Sequence, residues 1–194
     1  MGRQGCRRNA NIRRELLAVT LAVATAGTLT SAFAASDIFA KIGDIKGESI
    51  DSKHKAEIDI LSWSWGLTGP TRNSPGVPQR PVGPAQAACA QEIFLTKNVD
   101  AASPLLMANA ALGTTLKDAT LALRKADSSQ EDYLVITLKD VLVSSVSSGA
   151  SRAGGDAIET VSLVFSSANV KFRPQDSEGK LGNAIEASVP GSCQ

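Results

Sequence analysis

The sequence contains few of the residue types that build most active sites and metal sites. Its 194 residues include one histidine, one tyrosine and three cysteines. No His/Cys cluster has zinc spacing, and no glycine-rich loop opens a helix after a strand to cradle a phosphate. The serines at 144, 145, 147 and 148 lack the G-x-S-x-G setting of a nucleophile elbow. These absences predict no active site, no metal and no cofactor, so we do not expect an enzyme.

The single histidine also carries no predicted role. His54 stands between Lys53 and Lys55 in a charged turn, and we expect it to be exposed and solvated. Glu57 and Asp59 follow it, and we expect these acids to lie on the solvent face of a strand. None of these side chains indicates general acid–base chemistry.

The chain also lacks an excess of basic charge outside its first residues. Of 20 Lys+Arg and 19 Asp+Glu, five arginines and one glutamate precede residue 35, which leaves 15 basic and 18 acidic residues in 35–194. Because no basic patch remains, we do not expect nucleic acid as a partner.

The N-terminus has the three parts of a secretory signal peptide. Five arginines precede an apolar run over 16–33, which ends in Ala32-Phe33-Ala34. We predict that residues 1–34 are a signal peptide cut between Ala34 and Ala35, leaving no stable membrane span. The alternative is a membrane anchor, for which about 18 mildly apolar residues are marginal. Arg13-Arg14 partly matches a twin-arginine motif, so either the Sec or the twin-arginine route leads to a periplasmic or secreted protein.

Two cysteines remain after cleavage, Cys89 and Cys193. In an oxidising compartment they can form a disulfide that joins the central loop to the C-terminus; the alternative is two unpaired thiols. Their spacing in sequence does not decide between the two.

Long alternating segments dominate the remainder. In 133–143, Leu134, Ile136, Leu138 and Leu142 are predicted to share one aliphatic face, with Val135, Thr137, Lys139, Val141 and Val143 opposite. Further strands are predicted at 37–43, 58–65, 93–97, 116–124, 158–165, 169–173 and 183–189. About eight strands at this spacing predict a mainly β fold in one domain, 35–194: an antiparallel β-barrel with one short flanking α-helix.

Two segments are candidate contact elements. Residues 66–90 form a long loop rich in proline and glycine, which favours neither helix nor ladder. Ser103 as N-cap and Pro104 predict a helix that ends near Gly113. That helix has hardly any polar face, which is typical of a buried helix or of one covered by another subunit. The two tryptophans, in 58–65, are interpreted as core or interface anchors rather than a ligand platform.

Four segments resemble the Hcp family, the tube proteins of bacterial type VI secretion systems. They read FAKIGDIKGES, EIDILSWSWG, FLTK followed by Asp100 and Ser103-Pro104, and YLVITLKDVLVSSV, and they occupy 39–49, 57–66, 94–104 and 133–146. Together they span most of 37–190 in the family's order.

The resemblance implies hexameric rings that stack into a tube, with spike, sheath or effector proteins of a type VI system as partners. The loop and the helix then supply the candidate subunit contacts: Leu67, Pro70, Val77, Leu105, Leu106 and Met107. Two functions follow. The first is a ring-forming tube subunit that is also secreted as a component or effector carrier. The alternative is an exported Hcp-like carrier or binding protein outside a contractile machine, because cytoplasmic tube subunits ordinarily carry no signal peptide.

Overall fold

The computed structural model describes residues 36–69, 88–125, 130–152, 154–176 and 180–193. The chain divides into two units, Met1–Ala32 and Phe33–Gln194, and the described residues all belong to the second. The predicted signal peptide with Ala34 and Ala35, and Pro70 and Val77 of the loop, lie outside the described residues.

The described residues form eleven strands and one helix, which are β1 Ser36–Ile42, β2 Ile58–Asp59, β3 Ser62–Ser64, β4 Leu67–Thr68, β5 Cys89–Ala90, β6 Ile93–Asn98, α1 Ser103–Leu112, β7 Thr115–Lys125, β8 Asp132–Gly149, β9 Ile158–Val164, β10 Ser167–Phe172 and β11 Ile185–Pro190. All strand pairs among them are antiparallel. The eight predicted strands all appear; the additional ones are β4, β5 and the division of 58–65 into β2 and β3.

The main sheet closes on itself through the segment 58–64. Its strand order is β2-β1-β7-β8-β9-β6-β3. Since β2 and β3 are consecutive in the chain, the two edges of the sheet meet there: Ile60 N donates to Ile38 O (2.9 Å) and Leu61 N donates to Thr96 O (2.8 Å). This closure removes the two edges at the ends of that strand order, whereas β11 pairs only with β10 among the described strands. The prediction of an antiparallel barrel with one flanking helix is confirmed.

The barrel interior is filled by aliphatic side chains from every long strand. Ile42, Ile58, Leu95, Ile136 and Val161 belong to one buried cluster that also takes in Leu106 of α1. The helix packs against β8. Both tryptophans are half-buried and lie against this cluster, as expected for anchors.

The alternation of β8 changes at Asp140, which has φ 49°. Up to Lys139 the strand pairs with β10, and from Leu142 onward it pairs with β9. Val141 and Val143 are buried beyond this point while Leu142 is only half-buried. The prediction that Leu142 shares the face of Leu134, Ile136 and Leu138 is therefore wrong, because one left-handed residue shifts the side-chain period.

The loop after β1 covers the outer face of the barrel at β1 and β7. His54 is 7% exposed and stacks on Phe39 with ring centroids 4.3 Å apart. Its ring nitrogens lie 2.9 Å from Glu57 Oε2 and 3.1 Å from Asp132 Oδ1. The prediction of a solvated histidine is wrong. The charged residues around His54 in the sequence do not indicate that its ring packs on Phe39 and shields that side chain from solvent on the outer face of β1.

A buried arginine sits in the same outer layer. Arg124 contacts Asp51 through two hydrogen bonds, the shorter 2.6 Å, and lies 4.9 Å from the centroid of the Phe39 ring. The hydrogen bond from Arg124 lowers the pKa of Asp51 well below the usual range of a carboxyl group. This pair joins the covering loop to β7.

Candidate assembly surface

Helix α1 presents apolar side chains outward. Leu105 is 50% exposed and Leu112 is 79% exposed, and Met107 is also exposed. We call Leu105, Met107 and Leu112 the helix face. Leu106 is 0% exposed and belongs to the barrel core, so the prediction that it contacts another subunit is wrong at that position. Successive residues of an α-helix are rotated by about 100° around its axis, so neighbours such as Leu105 and Leu106 can face the surface and the core respectively.

The start of the helix is held by a buried charged cluster. Lys97 Nζ donates to Glu159 Oε1 (2.8 Å), Asp100 Oδ1 (2.6 Å) and Ser103 Oγ (3.2 Å). The Lys97 and Glu159 side chains are 1% and 0% exposed. These two residues are also direct register partners in the antiparallel β6–β9 pair, so the cluster ties both strands to α1.

Ser103 does not cap the helix. Its hydroxyl donates to Glu159 Oε1 (2.8 Å) and accepts a hydrogen bond from Asp100 N (3.0 Å). The N-cap residue is Ala102, whose N–H donates to Asp100 Oδ1 (2.9 Å). The sequence prediction of Ser103 as N-cap is wrong, because a buried ion pair competes for its hydroxyl.

The charged cluster was missed in the sequence, although a signal was present. Lys97 follows Ile93 and Leu95 at period two, so it shares their inward face. A lysine on an inward face requires a buried acidic partner. Glu159 Oε2 has no hydrogen-bond partner among the described residues. The cluster therefore holds a carboxylate oxygen that is not satisfied, and its two carboxylates, those of Asp100 and Glu159, share the single ammonium group of Lys97.

A groove of about 630 Å³ runs beside the helix face. Leu105 and Asn109 of α1 form one wall, and Leu116 and Lys117 of β7 form another. Its lining includes both charged and apolar side chains, which suits contact with a protein surface better than enclosure of a small apolar ligand.

The second candidate contact element is described only at its base. Leu67 pairs with Ala90 and Thr68 with Cys89, which forms a two-stranded ribbon of β4 and β5. Leu67 is exposed. Cys89 is joined to Cys193 by a disulfide with Cα atoms 5.1 Å apart. Trp65 Nε1 donates to Gln91 O (3.1 Å) just before the ribbon returns to the barrel.

Two features are absent from the described ranges. No group of three or more His, Cys, Asp or Glu side chains there is arranged to hold a metal ion. No helix in that part of the chain has the length and apolar character to cross a membrane.

Known proteins of one family share this sequence and fold. The profile of the family described as "Type VI secretion system effector, Hcp" matches residues 39–172. Protein hcp1 of Pseudomonas aeruginosa is 42% identical over 146 residues, which cover 75% of this chain and 88% of that protein. The crystal structure of Hcp1 from Salmonella typhimurium has a TM-score of 0.63 at 33% identity and covers 80% of this chain and 94% of that one.

A structure described as a type six secretion system protein has a TM-score of 0.71 at 26% identity, covering 80% of this chain and 96% of that one. The resemblance seen in the four sequence segments is thus matched by the profile, by a relative and by the fold. The chain belongs to the Hcp family of type VI secretion proteins.

Proposed function

We propose that residues 35–194 form hexameric rings that stack into the tube of a type VI secretion system, and that the tube is secreted with its cargo. The observation that carries ring formation is the helix face, where leucine and methionine side chains stay exposed on a helix with almost no polar residues. An apolar face of this kind is typical of a protein–protein contact. The family supplies the expectation of a ring, and spike, sheath and effector proteins are the proposed partners.

The same proposal includes export. Cleavage of the bond between Ala34 and Ala35 removes residues 1–34, and the mature chain reaches the periplasm or the medium by the Sec or the twin-arginine route. N-terminal sequencing of the periplasmic protein tests this step. An intact Met1 contradicts it.

Light scattering of the exported protein tests ring formation. We expect the wild-type mass of a hexamer, and a shift towards monomer for Leu112→Glu, because a buried unpaired charge in a subunit contact is costly. Ile50→Glu is the matched control, since Ile50 is almost fully exposed on the loop after β1 and away from the helix sequence. A wild-type protein that remains monomeric at high concentration contradicts the proposal.

A second function is favoured by the signal sequence. An exported ring that carries a ligand outside the cytoplasm needs no sheath. Cell fractionation with and without a type VI apparatus distinguishes the two: the amount of a tube subunit in the medium rises when the apparatus is present, and the amount of a carrier is the same in both.

A further inference from the structure

The histidine of the covering loop, residues 46–57, lies between two carboxylates. His54 Nδ1 is 2.9 Å from Glu57 Oε2 in the same loop, and Nε2 is 3.1 Å from Asp132 Oδ1 at the start of β8. An ionised carboxylate only accepts hydrogen bonds, so each ring nitrogen must donate one, and only the imidazolium form has two N–H donors. A neutral ring would leave one carboxylate oxygen against the lone pair of a nitrogen. The geometry therefore fits a protonated ring.

Ionisable groups on the elements packed around His54 leave an excess of acid. Arg124 of β7 lies 4.9 Å from the centroid of the Phe39 ring, on which His54 stacks, and its guanidinium is paired with Asp51. Asp59 of β2 is the register partner of Phe39, so both side chains are on the same side of the sheet. The charged groups of this region, five acids and three bases, are Asp37, Asp51, Lys53, Lys55, Glu57, Asp59, Arg124 and Asp132. A proton on the ring lowers this local excess of negative charge.

The other contacts between the loop and the β8 start, residues 130–132, are exposed. Lys53 Nζ donates to Gln130 O (2.6 Å), and Ser52 Oγ donates to Gln130 Oε1 (3.5 Å). Water competes for such hydrogen bonds, so each contributes little. Both partners also hold a non-glycine residue in the left-handed region, Ala56 with φ 59° and Gln130 with φ 48°, and such residues persist only where other contacts offset their cost. His54, which is 7% exposed, supplies the buried contact.

The rest of the covering loop has attachments of its own. Asp51 accepts two hydrogen bonds from Arg124, and Glu48 Oε1 accepts one from Ala101 N (3.1 Å). These contacts hold the first half of the loop whether or not His54 is charged. The part that depends on the histidine is therefore the segment 52–55 together with the β8 start.

We propose that His54, Glu57 and Asp132 form a proton-dependent latch on the outer face of the barrel. With the ring protonated, the latch fixes segment 52–55 to the β8 start. As pH rises and the ring loses its proton, one carboxylate loses its donor, and the segment loosens while the barrel keeps its structure. Histidine is the side chain whose charge ordinarily changes between about pH 5 and 8, so the latch responds to the pH of the compartment. This inference depends neither on export nor on ring formation.

The test uses the protein as cells produce it, purified without a histidine tag, so that His54 is its one histidine. The NMR signal of a ¹³C label at Cε1 then reports directly whether the ring is protonated. Hydrogen exchange is followed by mass spectrometry at about pH 5.5 and about pH 8.5, with rates corrected for the intrinsic pH dependence of amide exchange. Peptides over 52–57 and 130–133 report on the latch. A peptide over 141–146, which contains no titratable side chain, is the internal control.

His54→Gln is the matched variant, because its amide does not titrate. In wild type we expect the corrected exchange of 52–57 and 130–133 to rise about tenfold as the ring loses its proton, which is the size expected for one hydrogen bond to a charged group. In His54→Gln, and in 141–146 of both proteins, we expect a change of less than about twofold. A ring that is neutral while 52–57 is still protected would overturn the latch, and so would an equal rise in wild type and variant.

A second variant keeps the test decisive when His54→Gln does not fold. Asp132→Asn removes one of the two carboxylates and retains the ring, so its amide can pair with a neutral imidazole. We expect a smaller rise of exchange with pH than in wild type, and an undiminished rise would count against the latch.

Discussion

Removing the buried ammonium group of Lys97 is expected to destabilise the barrel strongly. Lys97→Met keeps a long apolar side chain at the same place but leaves Glu159 buried without its cation, and Glu159 Oε2 has no partner among the described residues. Breaking a buried ion pair by deleting one partner costs about 3–5 kcal/mol. With a urea dependence of about 2 kcal/mol per molar, the midpoint of unfolding falls by about 2 M.

A surface pair provides the matched control. Lys139 and Asp118 are 3.8 Å apart, with side chains 53% and 35% exposed. Lys139→Met removes the same charge from the same residue type, and we expect it to cost less than about 1 kcal/mol because water screens the pair. Both variants are unfolded in urea at one protein concentration, since assembly also contributes to apparent stability.

A second substitution separates the lost pair from the lost packing. Lys97→Met/Glu159→Leu removes both members, so the carboxylate is no longer stranded, and we expect it to regain at least about 1–2 kcal/mol over Lys97→Met alone. The reasoning is refuted when Lys97→Met loses no more stability than Lys139→Met, or when the second substitution makes the protein less stable still.

Three further outcomes are expected. In urea, Leu106→Ala lowers the free energy of unfolding by about 2–5 kcal/mol because it opens a core cavity, whereas Leu105→Ala lowers it by about 1 kcal/mol or less. The pKa of Asp51 is depressed in the folded state, so its stabilising contribution is complete above the ordinary carboxyl pKa of 3.8 and is lost as pH falls below that value. In urea titrations, the free energy of unfolding therefore falls less between pH 5 and pH 3 for Asp51→Asn than for wild type. A Cβ at Gly191 would lie 2.5 Å from Ser166 O, so Gly191→Ala raises hydrogen exchange of the tail, while Gly149→Ala, with open space around it, leaves that exchange unchanged.

Most of the β architecture could be predicted from the sequence because the aliphatic periodicity is strong. In β1 the inward positions Ile38, Ala40 and Ile42 are those that alternation predicts. The inward positions in the second half of β8 could not be predicted this way, because Asp140 adopts a left-handed backbone conformation that shifts the alternation. Nothing in the sequence pattern distinguishes Asp140 from an ordinary strand residue. Partner exchange between β10 and β9 at that point depends on tertiary pairing.

The candidate site was predicted in outline and not in detail. Proline and serine positions predict the helix at 103–112, and the scarcity of polar residues predicts a contact face. The choice between Leu105 and Leu106 depends on how the helix is rotated against β8, which no local signal sets when both positions are leucine. Likewise, the packing of His54 on Phe39 joins residues of different elements through stacking that local sequence does not encode.

Closure of the barrel has a consequence for how the chain acquires its structure. Ser36 at the start of β1 pairs with Lys125 at the end of β7, and the short closing segment must find both β1 and β6. Pairings this distant in sequence slow folding, typically to milliseconds or longer. Because β1 completes its pairing only with β7, the barrel cannot close until more than half of the chain has been synthesised.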